Sequence, residues 1–316
     1  EGFETWRTDR SLTAIVVLKD GQIVHEDYFQ GTTAESPRIS WSVAKSYLAT
    51  LFGIAVENGD IASLDHPVTD YAPSLVGTAY NDATIRNVLN MASGVVFDED
   101  YFDFWSDINK MGRVLALGGS MDRFATKLDA TFGPAGEIWQ YTSIDTHVLG
   151  MVLRGATGRS VPELLSEHII APLGLEADGS YLTDGNGVAF VLGGLNFRTR
   201  DFARFGQMIL QGGTWQGQQI VSTDWITEST RASAPTALGK RQYAYQWWIA
   251  PDEDTSDPDH AFYGHGIYGQ YLYVDPEAGV VIASNAVDRK FRDAGISDQN
   301  IAMFRAIAAA AANTAS

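Results

Sequence analysis

The sequence predicts an α+β fold in which one β-sheet is built from both ends of the chain, with a mostly helical lobe inserted between them. Strand-like runs occur near the N-terminus and again towards the C-terminus. The stretch from about residue 60 to 180 has few strand signals and several helical ones. No repeat or low-complexity linker separates these regions, so we expect the two sets of strands to share one sheet.

The first elements are predicted to be a β-hairpin and a helix. Strand-like runs at 13–18 and 22–28 are separated by Asp20-Gly21, which is a strong turn signal. A helix is predicted from Ser40 to Asn58, because apolar residues recur there at intervals of three and four and Gly59 follows as a stop.

The middle of the chain is predicted to form a separate domain. We assign residues 63–179 to a mostly helical domain and residues 1–62 with 180–316 to an α/β domain, with the active site between them. Gly and Pro residues separate the helical stretches of the middle domain. The predicted helices are 84–91, 121–128, 146–155, 161–170, 199–211 and 299–311, and the later strands are 243–249, 268–274 and 280–285.

The composition excludes several classes of function. With 22 basic and 39 acidic residues the net charge is -17, which repels phosphate backbones, so no nucleic acid partner is expected. The absence of Cys excludes a disulfide framework, a thiolate nucleophile and a cysteine-ligated metal. The 6 histidines show no His-x-x-x-His spacing, and neither a metal nor another cofactor is expected.

The sequence also limits the relation to membranes. No apolar run approaches the roughly 18 residues that a membrane-spanning helix needs, so we expect a soluble protein. The chain starts at Glu1 instead of Met, which we interpret as a processed start that could have lost a signal peptide. A cytoplasmic, periplasmic or secreted location of a bacterial-type protein stays open, and so does the oligomeric state.

A candidate nucleophile lies at the start of the predicted helix 40–58. Ser42 and Lys45 are three residues apart, so their side chains would project from the same helix face. A serine hydroxyl becomes a useful nucleophile when a neighbouring base takes its proton, and Lys45 is placed to do so. The pair alone is weak evidence, because 21 Ser and 6 Lys residues predict about 0.4 such pairs by chance.

Three motifs, found in the same order, resemble those of the penicillin-recognising serine hydrolases, the superfamily of class C β-lactamases, DD-peptidases and family VIII carboxylesterases. Segment 41–47 (WSVAKSY) resembles the active-site helix, and segment 133–143 (GPAGEIWQYTS) resembles the loop with the Tyr-x-Asn element. Segment 263–267 (YGHGI) is similar to the Lys-Thr-Gly motif that comes before a core strand. The resemblance continues through 84–94 and 193–206, and it implies a β-lactamase/DD-peptidase-like fold with a mainly antiparallel sheet flanked by helices.

The resemblance implies a role for each motif. Ser42 would form an acyl-enzyme, with Lys45 and Tyr141 as the proton-transfer pair. Lys and Tyr have ordinary pKa values of about 10.4 and 10, so the two groups would have to lie together in a buried site and share one proton. The backbone amides of Ser42 and Ile267 would hold the oxyanion.

Two departures from the superfamily motifs favour esters or small amides over β-lactams. His265 takes the place of Lys and is mostly neutral near pH 7, so it lacks the fixed charge that attracts a carboxylate. Ser143 takes the place of Asn and removes an amide donor. The variants Tyr141-x-Ser143 and His265-Gly266-Ile267 together resemble 6-aminohexanoate-dimer hydrolases and related carboxylesterases.

That narrower resemblance suggests further pocket residues. In this subgroup, acidic and tyrosine residues of the helical lobe help bind the amine end of the substrate. The matching residues here are Tyr101, Asp103 and Asp107, which could equally form a solvated acidic turn. Asn196 is a further candidate for the pocket.

Three functions are compatible with these observations. The first is an esterase or amidase that acts on small linear acyl compounds through an acyl-enzyme. The second is a D-amino peptidase or weak β-lactamase, and the third is a penicillin-binding-like receptor that is acylated without turnover. The presence of Ser42, Lys45 and Tyr141 together speaks against a binding module that has lost activity. The sequence does not select the physiological substrate.

Overall fold

The largest sheet of the protein has six antiparallel strands drawn from both ends of the chain. The computed structural model describes residues 2–254, 256–257 and 259–314. Strands β1 to β11 are, in order, Leu12–Lys19, Gln22–Tyr28, Arg38–Ile39, Ser180–Tyr181, Leu195–Phe197, Thr214–Trp215, Gln218–Gln219, Trp248–Ile249, Phe262–Gly266, Gln270–Asp275 and Val280–Ala286. The six-stranded sheet has the order β2-β1-β11-β10-β9-β8, beside a three-stranded sheet β3-β5-β4 and the pair β6-β7.

Strand β1 joins the two ends of the chain. It pairs antiparallel with β2 through the turn at Asp20 and Gly21, whose φ angles are 49° and 79°. On its other side it pairs antiparallel with β11, where Ile15 faces Ser284. The predicted hairpin and the predicted sheet from both chain ends are therefore confirmed.

Eleven helices surround the sheets in the part of the chain that the structure describes. Helices α1 to α11 are, in order, Phe3–Asp9, Ala44–Glu57, Ile85–Leu89, Asp107–Ala116, Met121–Ala125, Ser143–Thr157, Val161–Leu165, Ala171–Leu173, Thr199–Leu210, Thr223–Thr230 and Ile296–Thr314. Short 3-10 turns occupy Trp41–Val43, Val68–Asp70 and Pro73–Leu75, and a π-helical segment occupies Ser166–Ile170. None of the described helices combines the length and the apolar character needed to cross a membrane.

Helices cover both faces of the large sheet because the side chains of its strands alternate between two cores. Val16 of β1 joins the larger core, to which α2, α6 and α9 also contribute. Its neighbours Ile15 and Val17 join a smaller core under α1 and α11. The larger core continues into the helical segment through residues such as Val148. The predicted division into two domains, at residues 62/63 and 179/180, stays a prediction.

The inserted segment is helical, as predicted. Residues 63–179 contain helices, turns and isolated bridges such as Val95 with Thr131, and no named strand lies in this fully described range. Helix α3 begins with a capping box of Thr84 and Asn87, which satisfies backbone N–H groups at its start. Helices α1, α4, α8 and α10 are additional to those predicted.

Two predicted strand positions need correction. Only β8 forms within 243–249, because Gln246 has a φ of 62° and turns the chain. The strand predicted at 268–274 starts at Gln270, because Tyr268 and Gly269, with φ of 62° and 88°, form the turn between β9 and β10. The YGHGI motif precedes a strand, β10, as expected, and most of the motif itself lies on β9, which was not predicted.

Gly155 and Gly112 give a matched test of how the inserted segment packs. Both lie inside helices, but a Cβ at 155 would lie 1.7 Å from the Tyr71 carbonyl oxygen, whereas a Cβ at 112 would meet nothing within 4 Å. We expect Gly155→Ala to lower the free energy of unfolding by about 1–3 kcal/mol. Gly112→Ala should leave it unchanged or raise it by about 0.5–1 kcal/mol, because Ala favours helix more than Gly. Urea unfolding followed by circular dichroism measures both, and equal effects would contradict this packing.

Candidate active site

Ser42 lies in the 3-10 turn Trp41–Val43, which leads directly into α2. Trp41, just before it, has a φ of 42°, which is unusual for a bulky side chain and indicates a tightly held backbone. The Trp41 ring packs edge-on against Tyr268, with 5.9 Å between ring centres. The first N–H groups of a helical turn have no acceptor within the turn. The Ser42 N–H can therefore donate to a bound ligand close to the Ser42 hydroxyl.

Strand β9 can run against this turn because two of its residues are glycines. A Cβ on Gly266 would lie 2.6 Å from the Ser40 carbonyl oxygen and 3.0 Å from the Ser42 nitrogen. A Cβ on Gly264 would lie 3.2 Å from Ser46 Oγ. The next residue along the chain, Ile267, lines the same cavity as Ser42.

Lys45 is buried beside Ser42. Its Nζ lies 3.1 Å from Ser42 Oγ and 3.4 Å from Ser143 Oγ, and it donates a hydrogen bond of 2.9 Å to the Leu192 carbonyl oxygen. Burial lowers the pKa of Lys45 to about 7, although the negative charges of Glu99 and Asp145 oppose this shift. A large fraction of Lys45 is therefore a neutral amine near pH 7.

Tyr141 contacts the same serine. Its hydroxyl lies close enough to those of Ser42 and Ser143 for both to lower its pKa. Burial raises the pKa of Tyr141 well above its ordinary value, and the negative charge of Glu99 raises it further. Lys45 Nζ lies 5.4 Å from the centre of the Tyr141 ring. Because burial moves the two pKa values in opposite directions, Lys45 is the group that can accept a proton near neutral pH, whereas Tyr141 keeps its proton.

Two buried carboxyl groups near Lys45 were not identified from the sequence. Glu99 accepts a hydrogen bond from the Ser143 N–H. Asp145 accepts hydrogen bonds from the Tyr80 hydroxyl at 2.6 Å and from Ser93 Oγ at 2.8 Å. Burial raises the pKa of Glu99, and it raises the pKa of Asp145 to about 7. Lys45 therefore titrates as part of a group of three buried ionisable side chains.

The sequence signals for these two acids are weak. Glu99 belongs to the acidic run at 98–107, which in a sequence looks like a solvated turn. Asp145 lies in the first turn of α6, where an acidic residue ordinarily interacts with the helix dipole. Only the folded chain turns their carboxyl groups towards Lys45.

A cavity of about 350 Å³ opens beside Ser42. Six of the residues predicted from the sequence line it, namely Ser42, Tyr101, Tyr141, His265, Gly266 and Ile267. Six further lining residues were not predicted, namely Arg241, Trp248, Tyr263, Phe291, Arg292 and Ser297. Lys45 and Ser143 lie behind Ser42, where they are almost fully buried.

The structure does not bring Asp103, Asp107 or Asn196 to this cavity. Asp107 begins α4, where it accepts hydrogen bonds of 3.0 Å from the Asp98 N–H and from Lys110 Nζ. Asp103 accepts a bond from the N–H of Trp105 within its own exposed turn. Asn196 lies on β5 and donates to the Gly194 carbonyl oxygen at 2.9 Å. All three side chains are held by these local hydrogen bonds. Asp103 and Asp107 therefore do not form the acidic site that was expected to bind the amine end of a substrate.

His265 lines the cavity as a neutral imidazole. Burial lowers the pKa of His265 to about 3, and the nearby positive charge of Arg241 lowers it further. The imidazole stacks on the ring of Tyr271, with 4.4 Å between ring centres. His265 thus supplies no positive charge to the cavity.

Comparison with known proteins gives consistent matches along the chain. The family model described as Beta-lactamase matches residues 7–295. The 6-aminohexanoate-dimer hydrolase of Paenarthrobacter ureafaciens is 31% identical over 286 residues, which cover 85% of this chain and 71% of that protein.

Solved structures extend the comparison. A Bacillus anthracis protein assigned by name as a 6-aminohexanoate-dimer hydrolase superposes with a TM-score of 0.84 at 27% identity, covering 98% of this chain and 81% of the other. A D-stereospecific amidohydrolase from Streptomyces sp. superposes with a TM-score of 0.68 at 18% identity, covering 91% and 94% of the two chains, and at that identity shares the fold alone.

The glycine at 266 provides a test of the site geometry. We expect Gly266→Ala to reduce ester hydrolysis by about tenfold or more, because the added methyl group would push β9 away from the Ser42 amide. Gly133→Ala is the matched control, since its Cβ would meet only Ile138 Cδ1 at 3.6 Å, an ordinary contact. Rates of p-nitrophenyl butyrate hydrolysis and melting temperatures are measured for both variants. A Gly266→Ala variant with full activity would contradict the proximity of β9 and Ser42.

Proposed function

Because the chain belongs to the Beta-lactamase family, we propose that it cleaves small ester or amide substrates through an acyl-enzyme on Ser42. It is a hydrolase of this family, related to 6-aminohexanoate-dimer hydrolase. The observation that carries the proposal is the 3.1 Å contact between Ser42 Oγ and the buried Nζ of Lys45. A neutral amine at this distance is a base for the serine hydroxyl.

The hydrogen bonds of Lys45 fit the part of a base. A neutral amine has two N–H groups and one lone pair. The carbonyl oxygen of Leu192 and the hydroxyl of Ser143 accept the two N–H groups, at 2.9 Å and 3.4 Å. The lone pair is then left for the proton of Ser42. As this proton moves to Lys45, Ser42 Oγ forms a bond to the substrate carbonyl carbon.

The resulting oxyanion needs donors that are already in place. The backbone N–H groups of Ser42 and Ile267 would supply them, because both residues line the cavity and β9 lies against the Ser42 turn. Neutral backbone donors stabilise the negative charge that develops in the transition state without reorganisation of the site.

Tyr141 would complete the acylation step. Its phenol stays protonated and lines the cavity together with Ser42, so it can give a proton to the departing oxygen or nitrogen. The bond from the carbonyl carbon to the leaving group then breaks. The proton taken by Lys45 can return to Tyr141 through Ser143, which contacts both groups. In the second half of the reaction, water attacks the carbonyl carbon of the ester on Ser42, and its proton passes through Tyr141 and Ser143 to Lys45. Lys45 then returns a proton to Ser42 Oγ as the bond between this oxygen and the acyl carbon breaks and the acid leaves.

The walls of the cavity support a small substrate with apolar parts. Trp248 stacks on Tyr141 with 5.4 Å between ring centres, and the buried Phe291 adds a further apolar wall. We include linear amides because of the relative named for hydrolysis of the 6-aminohexanoate dimer. The neutral His265 counts against β-lactams as the preferred substrates.

The nucleophile can be tested directly. We expect Ser42→Ala to lower kcat/KM for p-nitrophenyl butyrate by about 10⁴-fold or more. The exposed Ser74→Ala variant is the control and should keep full activity. The same proteins are assayed with 6-aminohexanoate linear dimer and a chromogenic cephalosporin, and mass spectrometry locates a fluorophosphonate adduct. Ester hydrolysis that survives in Ser42→Ala, or an adduct on another residue, would refute the proposal.

The pKa of Lys45 predicts the pH dependence. Only the neutral amine accepts a proton, so kcat/KM should rise as the pH passes through about 7. Glu99→Gln removes a negative charge that favours protonated Lys45, and the rising limb should therefore move to lower pH. The exposed Glu137→Gln variant, in the loop before Tyr141, should leave the limb in place. A limb that moves to higher pH in Glu99→Gln would contradict this assignment of the base.

A further inference from the structure

We infer that three exposed aromatic side chains, those of Phe102, Phe104 and Trp105, bind an uncharged apolar chain of the substrate where it leaves the cavity beside Ser42. These three residues form the aromatic ridge. The inference rests on the proposed hydrolase function and adds a class of substrate, namely esters or amides whose chain extends beyond the cavity. The ridge lies outside all three motif segments.

The exposure of the ridge is the first observation. Its side chains are, in chain order, 71%, 58% and 69% exposed. Since an aromatic side chain buries roughly 150–250 Å², the ridge leaves on the order of 400 Å² of largely apolar surface in water. Single exposed apolar residues are common, but three large rings within four residues form a patch of the size that is often an interaction site.

Hydrogen bonds hold the loop that carries the ridge. The side-chain amide of Asn109 donates to the carbonyl oxygens of Tyr101 and Asp103, at 3.0 and 2.8 Å. Arg113 donates to the Phe104 carbonyl oxygen at 2.7 Å, and its guanidinium lies 4.0 Å from the centre of the Phe104 ring. Because the backbone is already ordered, little conformational freedom is lost when a ligand covers the rings.

The ridge is continuous with the wall of the cavity. Tyr101, the residue just before the ridge, lines the cavity, and so does Phe291. The Phe291 ring lies 6.3 Å, centre to centre, from the rings of both Tyr101 and Phe102. At the other end of the ridge, the rings of Phe104 and Trp105 are in edge-to-face contact at 4.9 Å. An apolar chain that passes Phe291 on its way out of the cavity would therefore meet the ridge.

The size of the cavity indicates which substrates reach the ridge. Its volume of about 350 Å³ is near the lower end of the roughly 300–1,000 Å³ that is usual for ligand sites. A cavity of this size holds a short chain, and the further CH₂ groups of a longer chain have to lie beyond its rim. The ridge offers apolar surface at that place.

The charge around the ridge favours an uncharged chain. Segment 98–107 contains five acidic residues and no Lys or Arg. Two of these acids, Asp100 and Asp103, are exposed close to the ridge in sequence. A chain with a negative charge at its end would be repelled there.

Esters of graded chain length test the inference. For the acyl chain, we compare p-nitrophenyl butyrate with p-nitrophenyl octanoate, and for the alcohol, ethyl butyrate with hexyl butyrate, all below their solubility limits. A buried CH₂ group contributes up to about fourfold to binding. Four CH₂ groups that are covered on one side should together contribute about tenfold.

The ridge variant, Phe102→Ala/Phe104→Ala/Trp105→Ala, locates this contribution. In at least one series it should lower the ratio of kcat/KM for the long ester to that for the short ester by about tenfold. Each single substitution should lower the ratio by about two- to threefold, which keeps the test possible if the triple variant does not fold. An unchanged ratio in both series would overturn the inference, and so would equal losses for the short and the long ester.

Leu117→Ala is the matched control. Leu117 is apolar and 84% exposed, but it follows the last residue of α4, about 15 Å along the helix from the end that adjoins the ridge. The ratio of kcat/KM for long and short esters should therefore stay unchanged in this variant. A loss equal to that in the ridge variant would show that any exposed apolar residue has this effect, and it would overturn the inference.

A contact between copies of this chain is the competing use of the ridge. Light scattering after gel filtration gives the oligomeric state of the wild type and of the ridge variant. An oligomer that the ridge variant loses, while the chain-length ratio stays unchanged, would assign the ridge to such a contact and overturn the inference.

A binding measurement separates this inference from the proposed hydrolysis. Saturation-transfer difference NMR with Ser42→Ala and octanamide, with butanamide as the short ligand, does not require turnover. Stronger saturation of the terminal methyl group of octanamide, lost when the ridge substitutions are added to Ser42→Ala, supports binding at the ridge even if no ester is hydrolysed. Equal saturation of octanamide in the two proteins would refute it even in an active enzyme.

Discussion

The removal of Lys45 from water is the constraint on which the site depends. An ammonium group in this position would face three oxygen atoms but would lose most of its hydration, and burial therefore favours the neutral amine. The neutral form can be satisfied completely by Leu192, Ser143 and Ser42. The same burial keeps Tyr141 protonated, so one physical cause separates a base from an acid. The carboxyl groups of Glu99 and Asp145 oppose this lowering of the Lys45 pKa, which therefore stays at about 7.

The fold creates this burial by bringing distant parts of the chain together around α2. Helix α6 of the inserted segment supplies Ser143, and the segment before β5 supplies the Leu192 carbonyl. Strand β9 closes the other side because Gly264 and Gly266 have no side chains that would collide with the Ser42 turn. The sheet from both chain ends thus has a functional consequence, since it fixes β9 beside a helix that lies more than 200 residues earlier.

The features that the sequence predicts well are those decided by local chemistry. The hairpin at Asp20-Gly21, the helix after Ser42 and the order of the motifs depend on short stretches of residues, and the structure contains the hairpin and the helix. Glu99 could not be distinguished from its acidic neighbours, because its position depends on a contact with Ser143, which lies more than 30 residues beyond that run. The sequence did not identify Arg241 as a cavity residue either, because its position depends on contacts with Tyr263 and Ser297. The strand expected at 243–249 failed at Gln246, whose side chain bonds to Leu89 across the fold.

Glu99 connects the base with the binding cavity. Its carboxyl group accepts a hydrogen bond from Ser143 and faces the charge of Lys45, while its backbone carbonyl accepts one from Arg292 at 2.9 Å. Two residues later, Tyr101 lines the cavity under the same guanidinium. The short segment from Glu99 to Tyr101 therefore contacts both the buried base and the wall of the cavity.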